Sequence, residues 1–413
     1  MTISGRGSTE SAPEFHQNFT DWAGPMTPQR LIMLVFFLQP IAFGSWLPRI
    51  PDIQQHLGVG PAGLALALLG MPVGTLLTLP FAGRLVARIG ARATIIYGFI
   101  VYSLVMALPA LAWNSESLFV ALMLAGAAVS TLELGLNVKA DEVEKHGGRA
   151  IMSTCHGFWS LGIMAGSVVG STFAALSVPA AIAIPLAGLI VLPVALYVGA
   201  RLPDHGKDER AAAAAAPRGR WQPPGPILLG ICMFVFGIGM TEGAVADWSA
   251  VFLRDVFAAP TAQAGLAYSV FAALVATGRF SGDWLRMRYG AVALARFCGT
   301  CALIGLVIVY FATSPQMAVI GFAVTGFGVS VGFPLAVTAA ASQPDRPASA
   351  SVAVLSFIAL TGFLIGPPMI GFVAEHTSMR GGLAMLLPFL AISLLLTGML
   401  RSGARKGVVA EPV

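Results

Sequence analysis

The sequence predicts an all-α polytopic membrane protein in which twelve transmembrane helices form two six-helix pseudo-repeats. Three observations carry this reading. Only 10% of the 413 residues are charged and 56% are hydrophobic, with a mean hydropathy of +0.81, whereas a soluble domain carries about 25% charged residues. The apolar residues gather into runs of about 20, the length a helix needs to cross a hydrocarbon core. The second half of the chain also echoes the first at a nearly constant offset.

Taken in order, residues 1–29 mix Ser, Gly, Pro, Glu and Asp. They lack the basic start and apolar core of a secretory signal, so a disordered cytoplasmic tail is expected. Apolar runs follow at about 31–48, 62–83, 93–112, 117–138, 151–174 and 180–200, making a first bundle over 30–200. Residues 201–225 are charged, then alanine-rich, then proline-rich, which is linker chemistry. Six more runs, at about 226–250, 264–284, 291–312, 317–340, 350–374 and 381–400, make a second bundle over 226–400, and 401–413 forms a short tail.

Charge sets the orientation. The basic residues fall in alternate loops, with Arg49, Arg254 and Arg380 on the other side and Arg279 and Arg296 at span boundaries. By the positive-inside rule both termini are cytoplasmic. The formal net charge of +5 is therefore a topology signal, and no nucleic-acid partner is implied. Cys298 and Cys301 have the spacing of a redox or metal pair, yet they lie in an apolar run without supporting His or Cys, so no metal, cofactor or disulfide is expected.

The internal repeat is specific in places. Trp46 and Gly63-Leu-Ala65 recur 202 residues on as Trp248 and Gly265-Leu-Ala267, and Gly126, Gly162 and Gly166 recur 200 residues on as Gly326, Gly362 and Gly366. Six plus six parallel repeats are the plan of one large transporter class. Gly162, Gly166 and Gly170 form overlapping GxxxG steps, echoed by Gly362 and Gly366 ahead of Pro367-Pro368. Small residues at this spacing let helices approach closely.

On these residues the chain resembles the major facilitator superfamily over 30–400. The carrying stretch is Gly83-Arg-Leu-Val-Ala-Arg88-Ile-Gly90-Ala-Arg92, which looks like that superfamily's basic loop with Ala87 in place of its usual acid. Gly278-Arg279-Phe-Ser-Gly282-Asp283 through Arg288-Tyr-Gly290 is a degenerate second copy. Within the superfamily the chain is similar to the rhizopine-associated and fucose-permease-like bacterial branch. The stretches that carry this are Glu242-Gly-Ala-Val-Ala-Asp247-Trp248, Ser153-Thr-Cys-His156-Gly-Phe-Trp159-Ser160 and Gly362-Phe-Leu-Ile-Gly366-Pro-Pro368, with Asn137.

The resemblance implies the superfamily's fold, with the first, fourth, seventh and tenth spans lining a central cavity. In the first, Gln39, Phe43 and Trp46 share a helix face, an amide beside rings that suits hydroxyls and C–H faces. In the fourth, Ser130, Glu133 and Asn137 share a face, and an acid at bilayer depth is by default functional. A carboxylate in a low-dielectric cavity can gain and lose a proton near neutral pH, which proton coupling requires. Glu242 is a second such acid, while Asp247, nearer the span's end, either contacts ligand, caps the helix or pairs with Arg49 or Arg254. Glu133 needs a partner, either across the cavity near Glu242 or at His156. His156 either relays protons or packs between helices; Trp159 lies beside it. Phe327, with Phe236, Met240 and Phe333, is a candidate apolar lining.

The resemblance further implies that Arg88 and Arg92 latch the inward side through acids such as Asp141 and Glu142 or through helix ends, with Arg279 and Asp283 doing so in the second half. No nucleophile–base pair or phosphate loop appears, so an enzyme is not expected. The expected function is a monomeric secondary active transporter of the bacterial inner membrane. It moves a small polar solute (sugar, polyol or inositol-like amine) by alternating access, coupled to protons through Glu133, Glu242 and His156. The alternative is a proton-driven efflux antiporter for hydrophobic or cationic compounds.

Overall fold

The computed structural model describes residues 26–147, 151–204, 223–343 and 348–401. Twelve helices within them are long and apolar enough to cross a membrane, and no strand occurs among the described residues. We label them α1 (Pro28–Leu57), α2 (Pro61–Thr78), α3 (Ala91–Leu111), α4 (Ser115–Glu144), α5 (Thr154–Ala175) and α6 (Ala180–Gly199) in the first half. The second half holds α7 (Pro226–Phe257), α8 (Thr261–Gly282), α9 (Ala291–Phe311), α10 (Pro315–Ala341), α11 (Val354–His376) and α12 (Met379–Leu400). The expected tails at 1–29 and 401–413 lie almost wholly, and the linker at 201–225 mostly, outside the described residues.

Helix ends follow local chemistry. Thr27 caps α1, accepting from the Arg30 amide, and Ser314 and Ser378 cap α10 and α12 in the same way; each side-chain oxygen satisfies an amide that the first turn leaves without a helical partner. Gly90 and Gly290, which follow the extended helices of α2 and α8, both have positive φ (90° and 81°), where a side chain would be strained. They stand 200 residues apart, so the repeat extends to a turn. α1 runs about ten residues beyond its expected end because Pro48 and Pro51 enter at the starts of a 3-10 turn and a new helix, positions where a missing amide costs little.

Packing confirms the two-fold plan. In each half the first helix packs on the fifth and sixth, the second on the fourth, and the third on the fourth and sixth. The repeated glycines sit at these crossings. A Cβ on Gly126 would strike the Met71 carbonyl and one on Gly326 the Phe271 carbonyl, again 200 residues on. Gly162 faces the Phe37 carbonyl and Gly362 the Phe236 carbonyl. The GxxxG stripe is thus the seat of α5 on α1. Elsewhere the outer surface is apolar, with Leu395 82% exposed and Leu189 62%, as hydrocarbon contact demands; this is a multi-pass membrane protein.

Twelve crossings return the chain to the side it started from, which leaves a far end opposite the termini. There the halves are tied together. Arg254 donates to the Pro51 carbonyl (2.8 Å) and Gln54 Oε1 (2.6 Å), Thr261 Oγ1 donates to Asp52 (2.8 Å), and the Ala62 amide donates to Glu375 (3.2 Å).

Candidate functional site

A cavity of about 210 Å³ lies between the halves. Ligand pockets commonly run from about 300 to 1,000 Å³, so this one suits a small solute. Its walls come from α1 (Phe43, Trp46), α2, α5 (Trp159, Ser160), α7, α8 and α11, with Leu122 from α4. Helix periodicity selects the faces: Glu242, Gly243, Ala246 and Asp247 on α7, and Tyr268, Phe271, Ala272, Val275 and Arg279 on α8, follow one stripe of each helix.

Arg279 organises the polar part. Its Nη2 donates to Glu242 Oε1 at 2.7 Å and its Nη1 to Ser160 Oγ at 2.6 Å. Both partners of the ion pair are largely buried, at 16% and 17% side-chain exposure, where a charge needs a partner to persist. The Ser160 bond crosses between the halves. Behind Trp159, its Nε1 donates to Gln39 Oε1 at 2.8 Å; Gln39 is itself buried. Gln39 therefore orients a ring of the wall from inside the first half.

Several expectations change. Arg279 lies in the cavity, not at a loop boundary, so Glu242 has an intramembrane basic partner. Its carboxylate pairs with Arg279, not across the cavity with Glu133. The side chain of Asp283 lies outside the described residues. Glu133 is half-buried on α4 and off the cavity wall; its side chain makes no hydrogen bond or ion pair among the described residues, and its carbonyl accepts from Asn137 Nδ2 at 2.9 Å. Asn137 is thereby turned onto its own helix. His156 stands edge-on to Phe36 at 5.5 Å; it is not among the residues lining the cavity, and its ring makes no hydrogen bond to Glu133 among the described residues. α10 contributes nothing to the cavity: Phe327 turns to Phe297 of α9, ring centres 6.4 Å apart.

Asp247 lines the cavity without either expected partner. Arg49 is taken by Asp52 at 2.6 Å and Arg254 by Asp255 at 2.6 Å and by α1. Trp248, the repeat of Trp46, is fully buried against Gly371 and not in the cavity. In the basic loop Arg88 is exposed, and Arg92 donates to the Ala200 carbonyl at the end of α6. That is a helix-end contact within one half. Glu142 pairs with Lys139 at 2.6 Å.

Tyr268, Phe271 and Phe363 are wall residues that sequence reasoning missed. The available signal was the stripe of Tyr268, Phe271, Ala272, Val275 and Arg279 on α8, a polar-ended face at helical spacing.

With this geometry in place, comparison with known proteins is informative. The Major Facilitator Superfamily profile matches residues 32–362. An uncharacterized MFS-type transporter of Yersinia pestis is 33% identical over 365 residues, covering 87% of this chain and 93% of that protein. Membrane protein MosC of Rhizobium meliloti is 28% identical over 357 residues, 85% of each chain. The crystal structure of the nucleoside transporter NupG superposes with TM-score 0.68 at 14% identity, covering 91% of this chain and 98% of that one, a likeness of fold alone. The chain belongs to the Major Facilitator Superfamily of membrane transporters.

Proposed function

We propose that this chain is a secondary active transporter of the bacterial inner membrane that moves a small polar solute by alternating access. The observation that carries the proposal is the small cavity at the junction of the two halves, sealed at the far end by bonds between them. Alternating access needs contacts made in one state and broken in the other, and the Arg254, Asp52 and Glu375 contacts are of that kind. The few convergent polar groups, Ser160, Glu242, Asp247, Tyr268 and Arg279, set among Phe43, Trp46 and Trp159, suit a sugar, polyol or inositol-like amine.

Proton coupling is the second part of the proposal. A proton taken up by Glu242 would cancel the charge that holds Arg279, and Arg279 is also bonded to Ser160 of the other half. Protonation and movement of the halves are thereby linked. Glu133, without a side-chain partner among the described residues on α4, is the second proton-carrying candidate, with His156 on α5 beside the same half's core. The protein acts as a monomer with both termini cytoplasmic, and Arg88, Arg92 and Asp283 keep their proposed gating role on that side.

The apolar share of the wall, including Met71, Phe271 and Phe363, favours a second reading, proton-driven efflux of hydrophobic or cationic compounds. Reconstituted vesicles of known orientation separate the two. Solute accumulation driven by an inward proton gradient in right-side-out vesicles is expected; accumulation confined to inside-out vesicles selects efflux. Solute movement that ignores the proton gradient removes coupling.

A further inference from the structure

The charged residues of the cavity wall do not balance. Glu242, Asp247 and Arg279 are the ionisable Asp, Glu, Lys or Arg residues among its lining. Glu242 and Arg279 cancel at 2.7 Å. Asp247 is left over. Its carboxylate makes no hydrogen bond or ion pair among the described residues, although it lines the same cavity as Glu242, five residues further along α7.

Neither Arg49 nor Arg254 bonds to it. Arg49 holds Asp52 and donates to the Val178 carbonyl at 2.9 Å. Arg254 holds Asp255, the Pro51 carbonyl and Gln54. A partly buried carboxylate without a partner is costly until a cation or a proton meets it, so the cavity wall favours positive charge beside Asp247.

We propose that Asp247 reads a single positive charge on the solute, and that the solute is a protonated monoamine. This deepens the transporter reading above and rests on it. An ammonium group placed against Asp247 restores neutrality to the cavity. An anion would meet the surplus negative charge and would find the Arg279 donors aimed at Glu242 and Ser160. A neutral solute would leave Asp247 as it is. The walls support the same choice, since Trp46, Trp159 and Tyr268 line the cavity and aromatic rings attract a cation. One surplus charge also sets the stoichiometry: a diamine would bring a second charge with nothing to meet it.

The test compares solutes that differ in charge but share a frame. On the purified full-length protein, thermal stabilisation is measured with glucamine, glucitol and gluconate, and with 2-phenylethylamine, 2-phenylethanol and phenylacetate. In at least one frame the amine should half-saturate at roughly tenfold lower concentration than the alcohol, a difference of about 1.4 kcal/mol, and the carboxylate should not stabilise. Asp247→Asn should bring amine and alcohol to within about twofold of each other, and Asp247→Glu should keep most of the amine preference. Retained alcohol binding shows that the Asn variant is folded.

Equal binding of alcohol and amine in both frames, or an amine preference that survives Asp247→Asn, overturns the inference. In either case binding of the neutral polyol leaves the transporter reading standing. Failure of all these solutes to stabilise the protein removes the proposed substrate class, and this assignment with it. The frame that binds decides between a polyol-like and a hydrophobic amine.

Discussion

The two seams between the halves are built from repeat-related helices and yet behave differently. Along the α5–α8 seam contact is continuous: Ser269 Oγ donates to Ser167 Oγ at 2.8 Å, Arg279 to Ser160, and Phe158 and Phe280 stack edge-on near the terminal end, 6.3 Å apart. Along the α2–α11 seam contact is concentrated at the far end, where Gly371 meets Ala65 and Glu375 meets the start of α2. Pseudo-symmetry of sequence therefore gives the halves the same fold without giving their junctions the same closure. The cavity sits where the two seams part, and the polar bond that crosses it belongs to the continuous seam.

The ion pair at that crossing offers the strongest way to break the comparison. Glu242→Gln leaves Arg279 buried and permanently charged, so a loss of about 3–5 kcal/mol is expected, read as a large fall in melting temperature together with loss of transport. Arg279→Met should cost less, because a carboxylate left alone can become neutral by taking up a proton whereas a guanidinium cannot. Equal losses would show that the pair is not held by charge.

Next in size is the seat of each half. Gly162→Ala and Gly362→Ala are both expected to destabilise by about 1–3 kcal/mol through overpacking. The first should be worse, since its Cβ would press closer to the α1 carbonyl than the second would to that of α7. Chemical denaturation of the two variants checks the order, and an equal cost would mean that α7 and α11 have no more room to give.

Smaller effects belong to the far end. Arg254→Ala removes two bonds to α1 and should raise labelling of a far-end cysteine probe several-fold, about 1 kcal/mol of shift between states. Glu375→Gln, which touches a single amide at 3.2 Å, should move the same labelling by no more than about half that. A larger effect from Glu375 than from Arg254 would make α2–α11 the principal latch.

Some of this was legible in the residues. The twelve crossings follow from apolar run length, because a bilayer forces each span to be long, helical and uncharged. The repeated glycines marked helix crossings, because a carbonyl approached that closely leaves no room for Cβ. Phe43 and Trp46 were named from a helix face, Trp159 from its place beside His156 and Glu242 as an acid within an apolar span, and all four line the cavity. Gln39 was named with them but works one layer behind, through Trp159.

What the sequence by itself determined is therefore one-dimensional: the number and approximate positions of the spans, the two-half plan, and acids set into apolar helices. Only the tertiary structure decided which acid met which base. Arg279 looked like a loop-boundary residue paired four positions along its own helix, and it was folding that brought it to Ser160, 119 residues away, and to Glu242. The physical reason is rotation: hydropathy places a residue along the helix axis, but whether it faces lipid, a neighbour or the cavity depends on contacts made with the other half. That is also why the choice left open for Asp247, ligand contact, capping or pairing with Arg49 or Arg254, was settled by folding, which puts it in the cavity wall away from both arginines.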